Sequence, residues 1–162
     1  MATVSTMPEV KRALLDEIGL LATASATAAA PTYVQTAYAR PPADRVRSES
    51  VFFGDLARAD GGERRLKAGR QVRHVEWNLD LVVQSAIMAD AEDAEQRAFV
   101  IAGAIENFLA ANAQPAEWPN APVASGAMSV VVAGMESELM EHPDGYQAVE
   151  VRIELTLLER LE

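Results

Sequence analysis

At 162 residues with 49% hydrophobic content, the chain can bury a sizeable core as a single domain, and its lack of cysteine excludes disulfide staples, thiolate zinc sites and a cysteine nucleophile. The formal charge of −10 is unevenly spread: residues 40–73 hold nine Lys and Arg against five Asp and Glu, a net +4, which leaves five against nineteen, or −14, elsewhere. A basic lobe on an acidic body suits head-to-tail contact between copies, because complementary potentials steer encounter and set register, although a solvated charged loop reads the same way.

No run of about 18 apolar residues offers a membrane span, and "MATVSTMPEVKRALLDE" lacks the basic start and apolar middle of a signal peptide, so a soluble intracellular protein is expected. The first element reads as a helix. Ser5 or Thr6 can cap it, Pro8 suits its first turn, and Val10, Ala13, Leu14, Ile18 and Leu21 share one face. The small residues of 22–31 end that pattern at Pro31 and read as a frayed end and linker. "TYVQTAYA" (32–39) is a candidate strand stopped by Pro41 and Pro42, and "SVFFGDLA" (50–57) is another. The adjacent Phe52 and Phe53 must point to opposite sides of that strand, which leaves one for the core and the other for a partner surface. The stretch at about 57–70 alternates charge and contains Gly61, Gly62 and Gly69; it reads as a long hairpin connection or arm.

"VEWNLDLVV" (75–83) then places Val75, Trp77, Leu79, Leu81 and Val83 on one side of a strand and Glu76, Asn78 and Asp80, with His74 before them, on the other. Sliding it by one residue would expose five large apolar groups at roughly 1.5–3 kcal/mol each, so its register is strongly set. The next segment is the clearest helix. Asp90 can cap it, Glu92, Asp93 and Glu95 favour its positive end, and Ala94, Ala98, Ile101, Ile105, Phe108, Leu109 and Asn112 trace one stripe before Pro115. Residues 113–127 form a proline-rich loop with Trp118 as its anchor. "MSVVVAGMESELM" and "YQAVEVRIELTLLERL", joined through Pro143-Asp144-Gly145, read as an antiparallel hairpin whose second arm repeats the alternation at Val149, Val151, Ile153, Leu155 and Leu157. The expected architecture is one α+β domain, a mainly antiparallel sheet of about four to five strands packed on one main helix, plus an N-terminal helix.

Candidate chemistry is sparse. His74 beside Glu76 could bind metal or act as acid and base, but a solvated pair on the wet face has the same spacing; His142 sits in a turn. No phosphate loop, dinucleotide fingerprint, HExxH or serine elbow occurs. Glu136 with Glu138, or Glu150 with Glu154, share strand faces as both catalytic and merely solvated carboxylates do. The basic run "RRLKAGR" lacks interleaved aromatics for stacking on bases. The expectation is therefore a non-enzyme without cofactor or metal.

The succession of an N-terminal helix, "SVFFGD", a glycine-rich charged loop, "HVEWNLDLVV", "DAEDAEQRAFVIAGAIENFL" and a closing hairpin ending in "VEVRIELTLLERL" resembles the tail terminator, or tail completion, proteins of long-tailed bacteriophages, over about residues 8–161. That family has a pattern of elements and no invariant site motif. The resemblance implies a virion structural protein, made in the host cytoplasm and placed at the head-proximal end of the tail. It would form a homo-hexameric ring that binds the tail tube protein, stops tube polymerisation and offers a joining surface to the head connector or neck protein, with DNA passing through the lumen without sequence-specific binding. Phe52, Arg58, Arg64, Arg65, Lys67 and Arg70 are the candidate interface residues, the arm reaching an acidic neighbour or a tail or head partner. Another head-tail connector or head-closure protein, or a small α+β enzyme or ligand-binding domain, remains an alternative.

Overall fold

The two alternating stretches at 75–83 and 149–157 lie side by side. The computed structural model describes residues 5–24, 34–42, 49–60, 64–67, 70–87, 91–123, 126–141 and 147–161, with backbone alone at 22–24, 56, 60, 64–67, 70–71, 87, 141 and 147. Its elements are helix α1 (Met7–Ala24), strands β1 (Gln35–Ala37), β2 (Glu49–Asp60), β3 (Arg64–Lys67) and β4 (Arg70–Ile87), helix α2 (Ala91–Ala111), and strands β5 (Ala127–Glu141) and β6 (Gln147–Leu161). Among the described residues the strands form one sheet in the order β1-β2-β4-β6-β5, with β3 paired to β4. The short β1 runs parallel to β2 and every other pairing is antiparallel.

Between β4 and β6, Leu79 stands opposite Leu155, Leu81 opposite Ile153 and Val83 opposite Val151. Directly opposed residues share a face, so the two alternations add into one apolar surface. Helix α2 closes it with Ala94, Ala98, Ile101, Ala102, Ile105, Phe108 and Leu109. Helix α1 contributes Val10, Ala13, Leu14 and Ile18 to the same core, so the α+β architecture is as expected, with α2 the main helix on the sheet and the N-terminal helix beside it. Trp77 is only half-buried at the margin, whereas Ile153 is fully enclosed.

Two local expectations are corrected. Among the described residues of "TYVQTAYA", 34–39, the strand is Gln35–Ala37; Tyr38 already leaves the sheet, 43% exposed, with its ring tilted on Phe53 at 6.4 Å. The second sheet face is not uniformly wet either. Its residues Ser50, Phe52, Val82, Gln84, Ala148 and Glu150 are buried, Arg40 lying over Phe52 and against Glu150, with Pro41 buried as well. Asp90, the Ala-rich segment at 25–30, His142 and Pro143-Asp144-Gly145 lie outside the described residues, but the strands flanking that last turn pair as an antiparallel hairpin from Glu141 and Gln147 onward.

The proline-rich loop packs down as expected of an anchored segment. Trp118 is 2% exposed, its indole N–H donates to the Asn112 carbonyl at 2.9 Å, and its ring meets Phe108 at 6.1 Å. The buried Glu17 of α1 holds the loop from the other side, accepting from the Asn120 and Ala121 backbone N–H groups at 2.6 and 2.7 Å.

Candidate interaction surface

Strand β4 outruns its neighbour β6. Arg73 is matched to Leu161, and among the described residues those before it, from Arg70, pair only with β3. The result is a hairpin extending past the end of the sheet, at the place where the sequence concentrates positive charge. Its register sets Arg64 opposite Arg73 and Lys67 opposite Arg70. The register thus brings like charges to matched positions on the two strands. The backbone of Arg64, Arg65, Lys67 and Arg70 is described, and their side chains lie outside the described set. Arg58 is exposed on β2 opposite Asn78, some way along the same strand from the hairpin.

Phe52 is removed from the candidate interface. It is fully buried within the chain, beneath the Arg40 guanidinium, whose carbon stands 4.7 Å from the ring centroid. Arg40 also donates to both carboxylate oxygens of Glu150, at 2.7 and 3.3 Å, so one side chain seals the ring and neutralises the buried acid together. Phe53 takes the core position on the other side. Both phenylalanines are thus used internally, which the alternation of strand faces could not reveal without knowing that residues 40–41 fold back over the second face.

Negative charge gathers at the opposite end of the sheet. On β5, Glu136 and Glu138 are exposed, followed by Leu139 at 59% and Met140 at 36% exposure. Glu138 lies opposite Glu150, and on the same sheet face Asp80 of β4 lies opposite Glu154 of β6. These are like-charge pairs of the reverse sign to those in the hairpin. Strand β6 fills one side of β5; on the other side, among the described residues, only Val130 is engaged, its N–H donating to the Ala113 carbonyl at 2.8 Å. The edge from Met135 onward therefore presents backbone groups beside acidic side chains.

Several other charged residues have structural work. Glu159, buried in the apolar phase of β6, accepts from the Thr6 backbone N–H, from the Thr6 and Ser5 hydroxyls at 2.8 and 2.9 Å, and from the Trp77 indole at 3.1 Å. It places a carboxylate at the positive end of α1, where the helix dipole favours it. Glu49 of β2 accepts from Arg97 of α2 at 2.6 Å. Lys11 is 8% exposed, with its ammonium 4.9 Å from the Phe53 ring centroid and 5.2 Å from that of Tyr38, and burial lowers its pKa. Hydrogen bonding to Glu150 raises the pKa of Arg40 despite some desolvation. Glu17, Glu49 and Glu159 interrupt apolar patterns, the one sequence signal that could have marked them as buried and paired.

Among the described residues none of these acids is hydrogen-bonded to a histidine. His74 stands opposite Arg160, on the strand pair β4–β6, beside the exposed Glu76. Among the described residues no group of three His, Asp or Glu side chains could hold a metal ion, and no helix is long and apolar enough to cross a membrane. Glu150 and Glu154 share a face but not an environment: the first is sealed under Arg40, the second is exposed. No protein-family model matches the chain, and a search of curated proteins found none similar to it.

Proposed function

We propose that this chain is a structural component of a long-tailed phage particle, a tail terminator that forms a ring on the tail tube, halts tube growth and supplies the head-joining surface. The observation that carries this reading is the basic hairpin extending from an otherwise acidic sheet domain, a distribution suited to repeated head-to-tail contact rather than to a substrate pocket. The order of elements adds support, since helix, strand, charged hairpin, long strand, acidic-start helix and closing hairpin match the pattern of the tail terminator resemblance. An acidic body also suits a channel for DNA, because a strongly basic lumen would grip phosphate through counterion release.

The test is co-sedimentation with tubes assembled from the tail tube protein of the same genome, with light scattering on the free protein. Binding in a small fixed number of copies per tube supports the reading. Binding to the head connector without binding to tubes would reassign the chain to head closure, and a monomer that binds neither would overturn a virion role.

A further inference from the structure

The hairpin strands are basic in sequence, whereas the outer edge of β5 carries the exposed Glu136 and Glu138. Strand register sets Arg64 opposite Arg73 and Lys67 opposite Arg70 on the first, and Glu138 opposite Glu150 on the second, where Arg152 lies opposite Glu136. Arg40 relieves Glu150 within the chain, which leaves Glu138 the exposed member of its pair. Bringing the two surfaces of one molecule together is prevented by the sheet itself. The hairpin extends from β3 and β4, whereas β5 lies at the far edge, with β6 between it and β4. A second copy meets no such obstacle.

We infer that β3 and the first residues of β4 in one copy dock against the outer edge of β5, from Met135 to Met140, in a second copy. The contact is of edge to edge. Strand β3 pairs with β4 on one side, and a four-residue strand fits within the stretch of β5 from Met135 to Met140. Added strand pairing would supply main-chain hydrogen bonds, Arg64, Arg65, Lys67 and Arg70 would meet Glu136 and Glu138, and the exposed Leu139 and Met140 would lose water. Because the two surfaces differ, the contact is head-to-tail and repeats from copy to copy, closing into a ring if the rotation permits. The bulge between Val132 and Gly134 re-aims this part of β5 relative to the part pinned by Ala113, separating a closed edge from an open one.

This contact rests on the ring reading, since it is the joint that would close such a ring, yet the two can fail separately. The absence of native cysteine makes the test clean. Lys67→Cys protein is mixed with Glu138→Cys protein under mild oxidation, with the exposed Glu9→Cys on α1 as the control partner. The expected result is a mixed disulfide at least tenfold more abundant with Glu138→Cys than with the control, suppressed by high salt. Adding Arg64→Glu and Arg65→Glu to the hairpin copy should reduce it at least tenfold, and Glu136→Lys in the β5 copy should restore it, which also shows that the reversed hairpin is folded. Equal yields with both partners, or a yield indifferent to both charge reversals, overturn the contact. Cross-linking in a protein that does not bind tail tubes would uphold the contact and defeat the tail reading; tube binding with no selective cross-link would do the reverse.

Discussion

Glu159 and Thr6 are 153 residues apart, and the carboxylate of the first accepts both the backbone N–H and the hydroxyl of the second. The last strand is thereby fastened to the start of the first helix. The Thr6 carbonyl accepts the first helical hydrogen bond, from Val10 at 2.9 Å, so the acid acts as a cap delivered from a distant part of the chain. Removing it with Glu159→Ala should cost about 3 kcal/mol, because it leaves the buried donors of Thr6 unsatisfied and takes away the acceptor of the half-buried Trp77 indole. The same change should free the Trp77 indole. Equilibrium denaturation monitored by tryptophan fluorescence measures both, and an unchanged midpoint would show that the cap contributes nothing.

Lys11 predicts a pH dependence. Its folded pKa lies below the ordinary lysine value because burial disfavours the charged form. Between the folded and unfolded values the unfolded chain binds more protons, so stability should rise with pH through that window. Denaturation midpoints should therefore climb in the wild type as the pH approaches the ordinary lysine value from below. In Lys11→Met that climb should disappear, and the variant should be at least as stable at neutral pH. A wild-type midpoint that falls across the window would show that the two aromatic rings outweigh desolvation.

The charge on Arg40 protects a buried acid and a buried ring at once. Arg40→Ala should destabilise by about 1–2 kcal/mol, less than a fully enclosed pair because the arginine side chain is 46% exposed. Arg40→Ala combined with Glu150→Gln should recover part of the loss, since no buried charge is then stranded. A double-mutant cycle by urea denaturation decides this, with strict additivity as the contrary outcome.

Gly126 should tolerate no side chain. Its φ of +83° is a left-handed conformation, and an added Cβ would lie 3.2 Å from the Thr6 methyl and 3.4 Å from the Arg160 carbonyl. Its own carbonyl accepts from the Arg160 N–H at 2.7 Å, which holds the backbone in place. Gly126→Ala should cost about 1–3 kcal/mol, readable as a lowered Tm; an unchanged Tm would mean that this corner relaxes freely.

Much of this architecture is legible from periodicity. Leu79, Leu81, Val83, Val151, Ile153 and Leu155 alternate so regularly that only a half-buried strand accommodates them, and the stripe through Ala98, Ile101, Ile105 and Phe108 admits only a helix facing them. What stays hidden depends on contacts between distant residues. Phe52 reads as a spare aromatic because nothing local announces that Arg40 returns to cover it. Glu159 and Glu17 break apolar patterns, but nothing local names their partners, since each receives several donors from elements more than a hundred positions away. The candidate surface is legible as composition: the run from Arg64 to Arg73 is basic on any reading. The like-charge opposition of Arg64 with Arg73 and Lys67 with Arg70 emerges only with the strand register, since a shift of the turn by one residue would pair different side chains.

The central claim is most directly tested by tube length. Tail tube protein should be polymerised with increasing amounts of this chain and the tubes measured by electron microscopy. The account predicts that mean length shortens as the protein is added, that a ring is seen on one tube end, and that Arg64→Glu with Arg65→Glu abolishes both effects. Tubes that grow to the same length with bare ends at every concentration would contradict it.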